Sequence, residues 1–181
     1  MRKSFITLGL LVIALLLNGI SVYAITNEKL TYAESIAPEL KELGMFVGTD
    51  KGFELERPAN RAEALTMLVR LLGKETEAKN GTWEHPFNDV PTWADKIVGY
   101  AYSNSLTSGV SADKFGSNDT VSAVQYLTFV LRALGYSDSK EVTDFTWDNP
   151  FDLATEIGLI ENGEYNKDSE FLRADVAIVS Y

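Results

Sequence analysis

Hydrophobic positions along the chain recur with helical spacing, and they do so twice in the same frame. From Arg61 to Gly73 the apolar residues Leu65, Leu68, Val69 and Leu72 stand at i, i+3, i+4 and i+7, one face of an amphipathic helix. Residues 123–135 align on 61–73 without a gap: Leu65, Thr66, Arg70, Leu72 and Gly73 recur as Leu127, Thr128, Arg132, Leu134 and Gly135. Both segments stop at the glycine. Each opens on a capping box, Asn60 with Glu63 and Ser122 with Gln125, in which side chains satisfy orphan amides of the first turn. A weaker third copy starts at Leu172, where Arg173 and Asp175 take the places of Arg61 and Glu63. The counterpart of Gly73 falls beyond Tyr181, so this helix is expected to lack its last turn, and the chain to be a fragment or to fray there.

Each of these helices has another upstream. Thr92 to Asp95 opens one with Trp93, Ile97, Tyr100 and Ala101 on a single face, which favours the core for Trp93. Its counterpart presents Tyr32, Ile36, Leu40 and Leu43, and Pro38 is expected to kink or restart it. A third opens at Asn149-Pro150-Phe151-Asp152, with Pro150 in the first helical position and Gly158 as the stop. The loops joining each pair are rich in Gly, Asp, Lys, Asn and Ser and carry one ring each, Phe53, Phe115 and Tyr165. The charged stretches 74–82 and 137–143 read as connections between units. Two-residue alternation is nowhere sustained, so no strand is expected. The fold class is all-α, in three helix–loop–helix units at 25–79, 80–138 and 139–181, the last incomplete.

The segment before them reads as an address. Arg2 and Lys3 precede an apolar run from Phe5 to Leu17, shorter than the ~20 residues that cross a bilayer, and Val22-Tyr23-Ala24 ends in small residues. Residues 1–24 are therefore expected to be a secretory signal peptide, leaving a secreted chain with no membrane segment after cleavage. Without a cysteine there is no lipid anchor at that point, so any retention of the exported chain is expected to come from something other than lipid.

Composition narrows the chemistry. With 16 Lys+Arg against 26 Asp+Glu, and no basic stripe, nucleic acid is not an expected partner. The absence of cysteine excludes disulfides, thiolate metal sites and a thiol nucleophile, and the single histidine, His85, cannot form a His-rich metal site. Asp50-Lys51-Gly52-Phe53-Glu54 lacks the oxygen spacing of a calcium loop. No metal and no cofactor are expected.

Pro86-Phe87-Asn88-Asp89-Val90 with Trp93 and Ile97, then a Gly/Asp-rich loop, together with Asn60-Arg61-Ala62-Glu63 leading an amphipathic helix, resembles the S-layer homology domain. The resemblance covers residues 30–181 and implies three repeats around a pseudo-threefold central three-helix bundle. It further implies a non-catalytic module that anchors exported proteins at the wall or cell surface by binding secondary cell-wall polysaccharide, often pyruvylated, in grooves between repeats. The family's Thr-Arg-Ala-Glu keeps its arginine here only at Arg61 and Arg173, so two grooves are expected rather than three. An arginine at a helix start offers a planar fork and a favourable dipole end to a ketal carboxylate. Sugars stack their apolar faces on rings, which makes Trp93, Tyr32, Trp147 and Trp83 groove candidates, and Asp89 could accept sugar hydroxyls. The expected ligand-binding residues are thus Arg61, Glu63, Arg173, Asp175, Asp89, Trp93, Tyr32 and Trp147.

Blander roles compete for the same residues. Glu63 serves a capping box, Asp89 can stabilise the turn before Val90-Pro91, and Arg70 and Arg132 complement the dipole at helix ends, which argues against a binding role for either. An enzyme would need an acid–base pair such as Glu63 and Asp89, and nothing isolates one among the scattered acids. A module packing against surface-layer neighbours is the other alternative.

Overall fold

The computed structural model describes residues 27–181; the signal peptide expected at 1–24 lies outside the described residues. Seven helices form its regular structure: α1 (27–42), α2 (Arg61–Leu71), α3 (Glu75–Asn80), α4 (Asp95–Ser103), α5 (Ala123–Ala133), α6 (Phe151–Glu156) and α7 (Arg173–Ser180). Among the described residues the only β pairing is isolated bridges, so the class is all-α, as expected.

The caps explain where α2 and α5 begin and end. Asn60 accepts the Glu63 N–H at 2.8 Å while the Glu63 carboxylate accepts the Asn60 N–H at 3.1 Å. Ser122 and Gln125 exchange the same pair of bonds at 3.3 and 3.2 Å. At the other end Gly73 and Gly135 take left-handed φ of 67° and 93°. That conformation lets the next residue reach back: the Lys74 N–H donates to Val69 O and the Tyr136 N–H to Leu131 O, each at 3.0 Å. In α7 only half the box exists, because Asp175 accepts the Leu172 N–H at 2.8 Å and Leu172 has no acceptor to return.

Helices α2, α5 and α7 share the centre of the protein. Leu65, Leu68, Val69, Leu127, Leu131 and Val176 are all removed from solvent there, and the Tyr126 hydroxyl meets Ser180 Oγ at 2.6 Å to tie α5 to α7. The starts of two helices are held by a neighbour's loop in the same way. Arg61 and Ala62 donate their N–H groups to Asp119 and Ser117 carbonyls at 2.9 and 3.2 Å; Arg173 and Ala174 donate to Arg57 and Leu55 at 2.9 and 3.1 Å. First-turn amides that no helix can satisfy internally are thereby paired across the interface. At α5 the contact is a ring instead, with Tyr126 packed 5.7 Å from Phe171.

Several expectations are corrected. Helix α1 runs through Pro38 without a restart: burial of Ala33, Ile36, Ala37 and Leu40 holds it. An interior proline costs ~3 kcal/mol, against ~1.5–3 kcal/mol for burying each large aliphatic side chain. Tyr32 and Leu43, placed on that face by spacing, are exposed, and so is Leu134 at the end of α5. The stretch 74–82 is not a plain connection but holds α3, whose Ala78 is buried. Helix α6 begins at Phe151, so Pro150 occupies its cap, one position earlier than expected.

Candidate binding site

Two clefts of about 370 Å³ each lie where these junctions leave a gap. The first is lined by Arg61, Gln125, Thr128, Phe129, Arg132 and Trp147, together with residues 107–110. The second is lined by Arg173, Glu63, Thr66, Met67, Arg70 and Trp93, together with Gly48, Glu75 and Lys79. Position by position they correspond, since Glu63, Thr66, Met67 and Arg70 of α2 stand where Gln125, Thr128, Phe129 and Arg132 stand in α5.

Arg61 sits at the floor of the first cleft, 3 % exposed. Its Nε donates to the Phe115 carbonyl at 2.9 Å, and the guanidinium carbon lies 4.9 Å from the Phe115 ring centre and 5.1 Å from that of Phe129. Its remaining N–H groups have no hydrogen-bonding partner among the described residues. Burial pushes its pKa down to about 10, with Asp119 and Asp89 pulling the other way, so the group is still a cation at neutral pH. Arg173 repeats the arrangement, 4 % exposed, with Nε donating to the Phe53 carbonyl at 2.9 Å and the Phe46 ring centre 5.1 Å away. Burial lowers its pKa as well, and Glu63, 3.8 Å from its terminal nitrogen, partly offsets that.

What fixes Arg61 is a loop, and what fixes the loop is Asp89. Its carboxylate accepts the N–H groups of Phe115, Gly116 and Ser117 at 2.8, 2.8 and 3.4 Å. Burial raises its pKa, but the three backbone bonds together prevail and hold the carboxyl below its usual range. Gly116, at φ +77°, is needed there: a Cβ would stand 2.7 Å from Asp119 Oδ2 and 3.4 Å from Arg61 Cδ. Asp89 therefore positions the carbonyl that holds Arg61 and lies outside both clefts.

The other expected residues divide. Glu63 lines the second cleft, and its carboxylate accepts both terminal nitrogens of Arg57 at 2.8 Å. Burial raises its pKa, and the bonds from Arg57 and the Asn60 N–H outweigh that, so it stays ionised. Trp93 is not a core residue: it precedes the first helical residue of α4, leaves the core-facing stripe that Ile97 continues, and walls the second cleft 57 % exposed. Trp147 does the same for the first cleft at 65 %. Tyr32 lines neither cleft and stands edge-on to Tyr181, ring centres 6.5 Å apart. Trp83 is structural, donating from Nε1 to the Ala78 carbonyl at 3.0 Å and packing on Tyr100. Asp175 faces a separate cleft, where it accepts the Tyr165 hydroxyl at 2.9 Å beside Lys29.

Arg70 and Arg132 were set aside on sequence, yet each enters a cleft. Arg70 is paired with Glu75 at 3.0 Å and Arg132 with Asp138 at 2.9 and 2.6 Å. Their recurrence at equivalent places was the signal, and the helix-end explanation absorbed it. Among the described residues no group of His, Asp and Glu is placed to hold a metal ion.

The chain is similar to a cell surface protein of Thermoanaerobacter kivui, 32% identical over 155 residues that make up 82% of this chain and 19% of that protein. It is 28% identical over 109 residues to a middle cell wall protein of Brevibacillus brevis and 29% over 109 residues to a surface layer protein of Brevibacillus choshinensis, in each case over 59% of this chain and 10% of the relative. An endoglucanase of a Bacillus strain matches at 27% over 114 residues, 62% of this chain and 12% of the enzyme. The chain thus spans between a tenth and a fifth of the length of these curated relatives. No family model matches it.

Proposed function

We propose that the chain is a non-catalytic anchoring module of three S-layer homology-type units, 25–79, 80–138 and 139–181, that holds a cell-wall polysaccharide through the Arg61 and Arg173 clefts. The names of its relatives support a surface-associated or surface-layer role. The observation that carries the finer reading is the pair of nearly buried guanidinium groups, each with one backbone hydrogen bond, stacked on rings and opening beside an exposed tryptophan. A buried cation without a tight counter-ion is costly unless a partner arrives, and a carboxylate-bearing sugar such as a pyruvate ketal supplies both the charge and an apolar face for the ring. The net charge of −10 does not prevent this, because repulsion from distant acids is screened beyond ~8 to 10 Å in physiological salt.

Glycan hydrolysis is not supported. It needs one carboxyl kept protonated, and the two candidates, Glu63 and Asp89, are both held low and bonded to structural donors. The test is cosedimentation with purified wall sacculi before and after acid removal of the secondary polymer. Retention should depend on the polymer and fall in Arg61→Ala and Arg173→Ala, with helicity kept and Lys74→Ala unaffected. Undiminished retention on stripped sacculi would refute the polysaccharide reading and point to peptidoglycan or protein partners.

A further inference from the structure

The acid that closes a helix start has a cation beside it in both places where it occurs, but the two cations come from different parts of the chain. In α2 the acid is Glu63, and Arg57, just upstream in the same unit, grips it with two bonds of 2.8 Å. In α5 the place is taken by the neutral Gln125, and Asp119 stands where Arg57 does. In α7 the acid is Asp175, and the residue matching Arg57 is Ser169, which carries no charge. The counter-ion comes instead from the first turn of α1. Lys29 sets its ammonium 3.4 Å from Asp175 Oδ1, 3.3 Å from Glu164 Oε1 and 3.9 Å from the centre of the Tyr165 ring. Asp175 is 5 % exposed, and a carboxylate so enclosed depends on its partners for charge balance.

Asp175 also carries more of its helix start than Glu63 does. Its Oδ2 accepts the Leu172 N–H at 2.8 Å, and Leu172 returns nothing, so this bond is the whole of the side-chain cap. Its Oδ1 is shared by the Tyr165 hydroxyl and Lys29. Arg173 lies inside the turn that Asp175 closes, and its Nε reaches the Phe53 carbonyl from there. We propose that Lys29 is a positioning residue for Arg173: across the junction of the first and third units it supplies the counter-ion that the third unit lacks, and by holding Asp175 it fixes the first turn of α7. Each step, from Lys29 to Asp175 to the Leu172 amide to Arg173, is a direct contact or a chain neighbour. The effect is one-sided, because the α2 turn that carries Arg61 is closed by Asn60, Glu63 and Arg57 without Lys29. The inference stands apart from the question of what the clefts bind.

The Nε–H groups of Arg61 and Arg173 each donate to a carbonyl at 2.9 Å, which gives one exchange-protected signal per cleft in isotope-labelled protein. Lys29→Met should speed hydrogen exchange at Arg173 Nε by roughly tenfold, the scale of losing one charge-assisted bond, and leave Arg61 Nε unchanged. Lys29→Arg should restore protection. So should Ser169→Arg added to Lys29→Met, because it gives the third unit the local cation that Arg57 provides in the first. Asp175→Asn puts the same question from the other partner and should also loosen Arg173 alone, which keeps the test decisive if Lys29→Met does not fold. Unchanged exchange at Arg173 in folded Lys29→Met overturns the proposal. Equal acceleration at Arg61 and Arg173 overturns it too, since Lys29 would then only add general stability, as does failure of both Lys29→Arg and the added Ser169→Arg to restore protection.

Discussion

Replacing Arg61 by methionine separates a binding arginine from a structural one. The change keeps an unbranched apolar stem and removes the charged head. Lost with it are a charge-assisted hydrogen bond to the Phe115 carbonyl, worth about 1.5–3 kcal/mol, and contacts with two rings, each about 0.5–1 kcal/mol or somewhat more when desolvated. Recovered is the cost of keeping a guanidinium out of water. The fall of its pKa from 12.5 to about 10 corresponds to about 3 kcal/mol against the charged form. The two sides nearly cancel, so Arg61→Met should change unfolding stability by less than about 2 kcal/mol in either direction, as often found when a buried charge is replaced by an apolar side chain. Binding to polymer-bearing sacculi through the first cleft should be lost. Urea unfolding followed by circular dichroism supplies the first measurement and cosedimentation the second. A variant that loses more than about 4 kcal/mol, or retains full binding, would refute the assignment and make Arg61 a structural pin.

Other outcomes follow from the same geometry. Trp93→Ala and Trp147→Ala should leave stability within about 0.5 kcal/mol, because both rings are exposed, yet weaken saccharide binding by a ring contact of about 0.5–1.5 kcal/mol, roughly two- to tenfold by titration calorimetry. Asp89→Asn should cost about 1–3 kcal/mol in urea unfolding, since three backbone N–H groups lose their charged acceptor. Because Asp89 and Glu63 are held below their unfolded pKa values, their stabilisation is present above about pH 4–5 and disappears as pH falls through the folded values; a urea midpoint that rises on acidification below pH 4 would contradict this. Gly116→Ala should destabilise by about 1–3 kcal/mol, from the left-handed backbone and the close approach to Asp119, and should weaken the first cleft more than the second.

The amino-acid order by itself determined the local structure. The spacing of Leu65, Leu68 and Val69 and of Leu127, Val130 and Leu131, the two capping boxes and the glycines at 73 and 135 act within a few residues, so helix type, limits and buried faces were legible for α2 and α5. The same alignment singled out Arg61 and Arg173, because repetition shows up in a string of letters whatever its cause. Which residues face one another is a different matter. Trp93 left the core because α4 starts two residues after it, and Trp147 met Arg61 only because residues far apart in sequence converge on one cleft. Asp89 turned from a sugar acceptor into a loop latch when the amides of 115–117 arrived beside it, and Arg57, Arg70, Arg132 and Gln125 gained their places through partners that periodicity does not reveal. Caps and helical stripes are short-range and written in neighbouring residues; a cleft is made by long-range packing, and only the packed chain decides which side chains share it.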